Sequence, residues 1–364
     1  PTVSNLKLRG SYGVTGELPP GPYLSLSRLT NQGGNYYAGN GVYSSSYDSF
    51  VNANPNLKWE KKAEADLGLD FTLLDGRLSG TFDYFNRKTT DLIFNVTVPS
   101  PPALNPNTWE NIGELTNKGV ELAINYEAIR TSDFSWTTGG NISSYHVVLT
   151  KLNESLKGSY VGATNLGTPG QEATQLTRAV AGQPIGLLYG PKYIGVDANG
   201  TYLYSDGKGG TTGLANAPRQ VIGNGLPKFE FGITNAFKYK NFDFNFFLRS
   251  SIGHQLINTY RAFYENPNVA TSYNIVNTKY FNPKVTDGAA YSSYDVEKGD
   301  FLKLDNATLG YTFKITKSNG KSGMISSLRA YVSGQNLFTI TGYTGVDPEV
   351  RYADLQNGVP NVLA

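Results

Sequence analysis

The chain of 364 residues carries 31 basic and 29 acidic side chains, and its net charge of +2 provides no field for nucleic acid or for an anionic surface. It has no Cys, so neither a disulfide framework nor a thiolate metal site can form, which suits passage through an oxidising periplasm. No apolar run approaches the roughly 18 residues of a membrane-spanning helix and no signal peptide opens the chain, which excludes a helical membrane protein.

Pro1 to Asn5 lead directly into a strand pattern, so the chain reads as a fragment. The first strand comes from Leu6, Leu8, Tyr12 and Val14 alternating with Lys7, Arg9 and Ser11, a period of two that makes one face apolar and the other polar. A long Gly-, Pro- and Tyr-rich stretch follows at 15–61. From Ala63 the alternation is unbroken, with Ala65, Leu67, Leu69, Phe71 and Leu73 interleaving with Glu64, Asp66, Gly68, Asp70 and Thr72. Asp75-Gly76 then suits a two-residue turn with positive φ at both positions. That turn predicts a register: Leu73 faces Leu78, Phe71 faces Gly80, Leu69 faces Phe82 and Leu67 faces Tyr84 on the apolar side. On the polar side Asp70 meets Thr81, Gly68 meets Asp83 and Glu64 meets Arg87 as a cross-strand ion pair. Phe85 opposite Asp66 is the poor fit.

Beyond a second long stretch at 92–114, Val120, Leu122, Ile124, Tyr126 and Ala128 alternate with Glu121, Asn125 and Glu127. A short turn at 129–133 and a third long stretch at 150–226 precede two strands, one with Phe229, Phe231 and Ile233 and one with Phe242, Phe244, Phe246 and Leu248, joined at 238–241. After the stretch 253–300 the alternation weakens in 301–313 and 328–337, because Leu302 and Leu304 share a face with Asn306 and Thr308. The last long stretch begins at 338, and the count is roughly nine strands, each near the ~9–11 residues that cross a tilted bilayer.

A soluble β-sandwich alternates in the same way. Strand length, the alternation of short with long connections, and aromatics gathered at strand ends (Tyr84, Phe85, Trp136, Phe237, Tyr239, Phe242) favour an all-β transmembrane antiparallel β-barrel with short periplasmic turns and long extracellular loops.

Ordered blocks then resemble a known family. Asn54-Pro55-Asn56-Leu57-Lys58-Trp59-Glu60, Leu67-Gly68-Leu69-Asp70-Phe71, Asp83-Tyr84-Phe85-Asn86-Arg87, Asn111-Ile112-Gly113-Glu114, Asn117-Lys118-Gly119-Val120-Glu121-Leu122 and Gly182-Gln183-Pro184-Ile185-Gly186 are similar to SusC/RagA-type TonB-dependent transporters. So are Asp300-Phe301-Leu302-Lys303-Leu304, Gly334-Gln335-Asn336-Leu337-Phe338 and Gly345-Val346-Asp347-Pro348-Glu349. The resemblance implies a barrel of about twenty-two strands around an N-terminal plug, in the outer membrane of a Gram-negative bacterium. Residues 1–364 would be the C-terminal portion, about nine or ten strands of it, with the plug and last strand not in this chain. It also implies TonB as a partner through that absent plug, a SusD-like surface lipoprotein, and an oligosaccharide or peptide as substrate. The alternatives are a passive porin or adhesin barrel, or a secreted β-rich carbohydrate-binding protein. Asp206-Gly207-Lys208-Gly209-Gly210-Thr211 departs from the acidic loop that family members often carry, which leaves a calcium site in 197–212 unassigned.

Catalysis finds little support. His146 and His254 make no zinc cluster, and Lys208 is not followed by the Gly-Lys-Ser/Thr ending of a phosphate loop. Glu64, Asp66 and Asp70 share one strand face, neighbours roughly 6.7 Å apart, but read as wetted wall charges balanced by Arg87 rather than as a glycosidase pair. No catalytic residue, metal ligand or cofactor is expected. The candidate contacts for substrate or partner are loop aromatics: Tyr36, Tyr37, Tyr43 and Tyr47 in the first loop, Trp109 in the second, Tyr189 and Tyr193 in the third, Tyr260 and Tyr264 in the fourth. Such rings stack on sugar or protein, or they pack a compact loop against itself, and the residues leave both open. Loop 150–226 is expected to meet the lipoprotein and wall the substrate chamber.

Overall fold

Alternation of apolar and polar side chains produces a sheet with two unlike faces, and the computed structural model of the protein is built on one. It describes residues 2–39, 41–152, 166, 174–315 and 325–349, without the side chains of 32–38 and 46. The strands in chain order are β1 (Val3–Glu17), β2 (Arg28–Gly39), β3 (Val42–Val51), β4 (Glu60–Leu73), β5 (Leu78–Thr97), β6 (Asn107–Arg130) and β7 (Phe134–Leu152). Short β8 (Gln183–Pro184), β9 (Leu187–Pro191), β10 (Tyr193–Val196), β11 (Tyr202–Ser205), β12 (Thr211–Thr212) and β13 (Arg219–Asn224) occupy the third long connection. Then come β14 (Phe229–Tyr239), β15 (Phe242–Ile252), β16 (Gln255–Ile257), the helix α1 (Thr259–Tyr264), β17 (Val296–Lys298), β18 (Phe301–Lys314) and β19 (Ser327–Thr341). Neighbours in the main sheet run β1-β4-β5-β6-β7-β14-β15-β18-β19, all antiparallel, with β8 added to β7. Among the described residues the sheet does not close on itself, and β1 and β19 are its edges.

The register from the Asp75-Gly76 turn is the one observed, pair by pair from Leu73↔Leu78 to Glu64↔Arg87. Arg87 donates through Nε to Glu64 Oε2 at 2.7 Å and through Nη2 to Oε1 at 3.0 Å. Leu74 joins the turn, with φ of 54° alongside Asp75 at 54° and Gly76 at 87°. Phe85, the poor fit, is explained by its other neighbour. Its ring covers Gly119 on β6, where an added Cβ would stand 2.5 Å from Phe85 Cζ and 2.8 Å from the Ser144 carbonyl oxygen. Gly119→Val is therefore expected to destabilise the wall by about 1–3 kcal/mol through overpacking, read as a lower heat-modification temperature on gels. An unchanged temperature would remove this role for the glycine.

The weak alternation at 301–313 also has a cause. The β15–β18 register shifts there, with Phe247 opposite Asn306 and Leu248 opposite Leu304, so Asp305 is an extra residue on β18 that turns Leu302 and Leu304 to the face opposite Asn306 and Thr308. The stretch 92–114 is mostly not a loop: β5 and β6 continue as a ribbon to Thr97 and Asn107, so Trp109 lies in a strand. Val96 and Ile112, packed by Phe94, Val98 and Leu152, supply a small core that keeps the ribbon paired. The first long stretch likewise contains the β2–β3 hairpin, and 150–226 contains β8 to β13.

Two of the recognised sequence blocks turn out to hold each other. Asn111 accepts from the Lys58 amide at 2.8 Å while its own amide donates to the carbonyls of Lys58 and Asp91 at 2.8 and 2.7 Å. Glu60 accepts from the Ile93 amide at 2.7 Å, and Asn54 donates to the Trp109 carbonyl at 2.7 Å. These side chains clip the first long connection to the ribbon.

The main sheet has no second sheet over its apolar face among the described residues: Leu67 on β4 is 60 % exposed and Leu8 on β1 79 %. A sandwich would bury that face, so the uncovered single layer answers the choice left open by alternation. Buried cores lie instead under the long connections, around Leu176, Leu188, Ile257 and Tyr291 and around Tyr202, Tyr204 and Val285.

Candidate functional site

On the polar face of the sheet the register brings opposite charges together across strands. Arg9 on β1 reaches Asp70 at 2.8 Å and Asp83 at 2.6 Å, and Arg329 on β19 holds Asp243 on β15 through Nε at 3.0 Å. Toward the long-connection end the wall carries a denser cluster. Arg249 on β15 bonds Asp305 at 3.0 Å and forks onto Glu349, Nη2 to Oε2 at 2.9 Å, while Lys303 on β18 bonds the same carboxylate at 2.8 Å and approaches Asp347 at 3.6 Å. Two recognised blocks, around Lys303 and around Asp347-Pro348-Glu349, thus meet on the wall. A cavity of about 410 Å³ opens beside them, lined among others by Asn141, Ser143, Glu230, Phe247, Arg249 and Glu349. Hydrogen-bonding groups dominate its lining, which suits a polar solute held by exchange of water rather than an apolar one.

Above this cavity the segments 255–300 and 342–349 form a packed cap. Its centre is Arg261 on α1, with 1 % of its side chain exposed. Arg261 donates to Glu265 and Glu297 at 2.6 Å each and to the Tyr294 carbonyl at 3.0 Å, and its guanidinium lies 4.3 Å from the Tyr280 ring and 4.7 Å from the Tyr294 ring. Asn258 caps α1 by accepting from the Arg261 amide at 3.0 Å and donates to Glu297 at 2.9 Å. Thr344 donates to Glu297 through hydroxyl and amide at 2.7 and 2.9 Å, which fastens the segment after β19 to the cap. Burial works to raise the Glu297 carboxyl, but bonds from Arg261, Thr344 and Asn258 together hold it below its usual range.

Asp295, buried in the same cap, is pushed up to about 7 by burial, against the lowering effect of the Ser292 amide that donates to it at 3.0 Å. A carboxyl raised from 3.8 holds its proton more tightly folded than unfolded, so its contribution to stability is complete below about pH 4 and is lost as pH rises through about 7. Protease resistance of 255–300 is accordingly expected to fall between about pH 4 and pH 7 and to level off above it, and Asp295→Asn to flatten that profile. A profile equally steep in the variant would assign the dependence to another group.

The loop aromatics do not form one site. Tyr43 and Tyr47 project from the β2–β3 hairpin, 69 % and 66 % exposed, and the side chains of Tyr36 and Tyr37 lie outside the described residues. Trp109 lines a different cavity with Arg28 and Phe50. Tyr189 is held between Arg178 and Arg219, 5.0 and 5.7 Å from its ring, and Tyr193 packs on Tyr202 and Tyr294 at 5.9 and 4.9 Å. Tyr260, 43 % exposed, packs at a tilt against Tyr264 at 5.1 Å, and Tyr264 against Phe263 at 4.4 Å. Among the described residues no group of three or more His, Asp or Glu side chains is arranged to hold a metal, and Asp206 Oδ1 accepts from the amides of Lys208 and Gly210 at 2.7 and 2.9 Å. Sequence reading missed Arg249, Lys303, Glu349, Arg261 and Glu297. The blocks containing Lys303 and Glu349 were the available signal for two of them, whereas Arg261 sits in a stretch without any periodicity.

Residues 2–337 match the model of the family described as TonB dependent receptor-like, beta-barrel. The chain is 34% identical to TonB-dependent receptor P3 of Formosa agariphila, over 98% of this chain and 37% of that protein. It is 32% identical to TonB-dependent receptor SusC of Bacteroides thetaiotaomicron, over 99% of this chain and 37% of that protein. It therefore spans a little over a third of the length of these curated relatives. Its fold is that of the RagAB peptide importer in the open-open state, with a TM-score of 0.78 at 23% identity over 100% of this chain and 38% of that one. The apolar face is thus the lipid face of a barrel wall and the ion-paired face its lumen, and the chain belongs to the TonB-dependent receptor β-barrel family of the Gram-negative outer membrane.

Proposed function

We propose that this chain supplies the C-terminal part of the wall and outer cap of a barrel that imports a bulky nutrient, an oligosaccharide or a peptide, across the outer membrane with energy delivered by TonB. The observation that carries the reading is the polar, ion-paired lumen wall with a hydrogen-bonding cavity beneath a packed cap. Such a wall passes a hydrated solute, and such a cap selects what reaches it. The remaining strands, the plug that contacts TonB and a SusD-like surface lipoprotein belong to the same proposal, supported by family membership. Peptide transport is what RagAB does, and supports a peptide as one of the two substrate classes. The exposed rings Tyr43, Tyr47 and Tyr260 are the proposed first contacts, and Tyr36, Tyr37 and Trp109 are further candidates, while Tyr264 packs within the cap and Tyr189 and Tyr193 shape the third long connection beside it.

The long connection 150–226 is the proposed lipoprotein contact. Shortening it in the complete receptor should abolish both co-purification of the lipoprotein and uptake of large substrate while the barrel still inserts. Lipoprotein retained together with normal uptake would overturn that assignment. Uptake that persists after collapse of the inner-membrane proton gradient would instead favour a passive porin.

A further inference from the structure

The net charge of +2 conceals a local concentration of lysines on the lipid face. Unbroken pairing across β4, β5, β6 and β7 lays this face out in rows. Leu67, Tyr84, Val120 and Ser144 form one row, then Ala65, Asn86, Lys118 and His146, then Ala63, Lys88, Thr116 and Val148, then Lys61 with Thr90. Everything on the inward side of the first row on β4 and β5 is apolar or Gly, through Leu69 and Phe82 to Leu73 and Leu78. Immediately outside it stands a basic staircase of His146, Lys118, Lys88 and Lys61, one on each of four adjacent strands, all of them exposed. Lys118 is directly opposite His146, and Lys88 and Lys61 each follow one strand over and one row out. Glu114 lies within the patch and is bound by Lys88 at 2.8 Å and Lys151 at 3.0 Å, so a single carboxylate stands against four lysines and a histidine.

The depth of this staircase is set by the strand. From Leu73 to Lys61, at about 3.4 Å per residue and a tilt of about 40°, the rise along the membrane normal is roughly 30 Å, a little more than the ~25 Å apolar band of such barrels. The short turns mark the periplasmic end, so the lysines sit where the outer leaflet exchanges acyl chains for headgroups. A lysine there keeps its stem on the apolar surface and its ammonium at the interface, where a compact point charge finds an anion. We propose that Lys61, Lys88, Lys118 and His146 form a binding ledge for the phosphate of an outer-leaflet glycolipid, with the acyl chains lying on Leu67, Leu69, Phe82, Tyr84 and Val120. Phosphate is the chemistry that fits, because several ammonium groups within one diagonal step of one another each gain a charge-assisted bond to the same multi-oxygen anion. A neutral sugar would offer no counter-charge to this group, in which Glu114 alone is acidic.

The test uses the complete receptor, stripped of endogenous lipid in detergent and titrated with phosphorylated lipid A, and with the same lipid A after phosphatase treatment, by native mass spectrometry. The wild type should retain the phosphorylated form at a roughly tenfold lower concentration than the dephosphorylated one, with the gap narrowing at about 0.5 M salt. Lys88→Gln with Lys118→Gln should close most of that gap, whereas Lys238→Gln on the lumen side should not. Equal retention of both lipids by the wild type, or an undiminished gap in a correctly folded double variant, overturns the proposal. Should the double variant fail to fold, the wild-type comparison of the two lipids decides.

Discussion

Arg261→Ala is expected to open the outer cap while leaving the barrel wall intact. The guanidinium is the counter-ion of two carboxylates that are themselves 3 % exposed, Glu265 and Glu297, and it also satisfies the Tyr294 carbonyl. Removing one partner of a buried ion pair leaves uncompensated charge in a medium that solvates it poorly, which costs about 3–5 kcal/mol. Because Glu297 also binds Asn258 and Thr344, the loss spreads to the α1 cap and to the segment after β19. Hydrogen exchange and limited proteolysis should therefore accelerate in 255–300 and 342–349 while β4 to β7 keep their protection. Arg261→Lys should recover only part, since one ammonium does not span both carboxylates and the carbonyl, nor lie flat between Tyr280 and Tyr294. Arg261→Met combined with Glu265→Gln and Glu297→Gln should recover more than Arg261→Met alone, because no charge is then stranded. Wild-type protection in Arg261→Ala would show that the cap is held by its apolar contacts.

Leu69→Arg is expected to prevent or severely slow assembly of the barrel, whereas Thr81→Arg is tolerated. The two positions are near neighbours on β4 and β5 but face opposite sides: Leu69 lies between Leu8 and Phe82 on the lipid face, and Thr81 lies opposite Asp70 on the lumen face. An arginine near the bilayer midplane on the lipid side costs about 2–4 kcal/mol, while in the lumen it stays hydrated and beside a carboxylate. Heat-modifiability on gels and outer-membrane yield separate the outcomes. Equal loss in both variants would contradict the assignment of the two faces.

The wall was legible in the sequence because its information is local. A period of two assigns each residue of β4 to a face, and a turn fixed by Asp75-Gly76 propagates one pairing along the whole hairpin, down to the bond between Arg87 and Glu64. The same rule failed at Leu302 and Leu304, where one extra residue against β15, Asp305, reverses parity, and weakened alternation does not by itself locate the bulge. It also failed at 92–114, where Leu92, Phe94 and Val96 read as a loop until the pairing with β6 supplied their partners. The cap was not legible at all. Arg261 finds Glu297 thirty-six positions away and Glu349 finds Arg249 a hundred positions away. Contacts of that range arise only when the strands bring distant connections to the same end of the wall, so residue type and spacing could name the strands and the family, and only the tertiary structure could decide which side chains meet above the lumen.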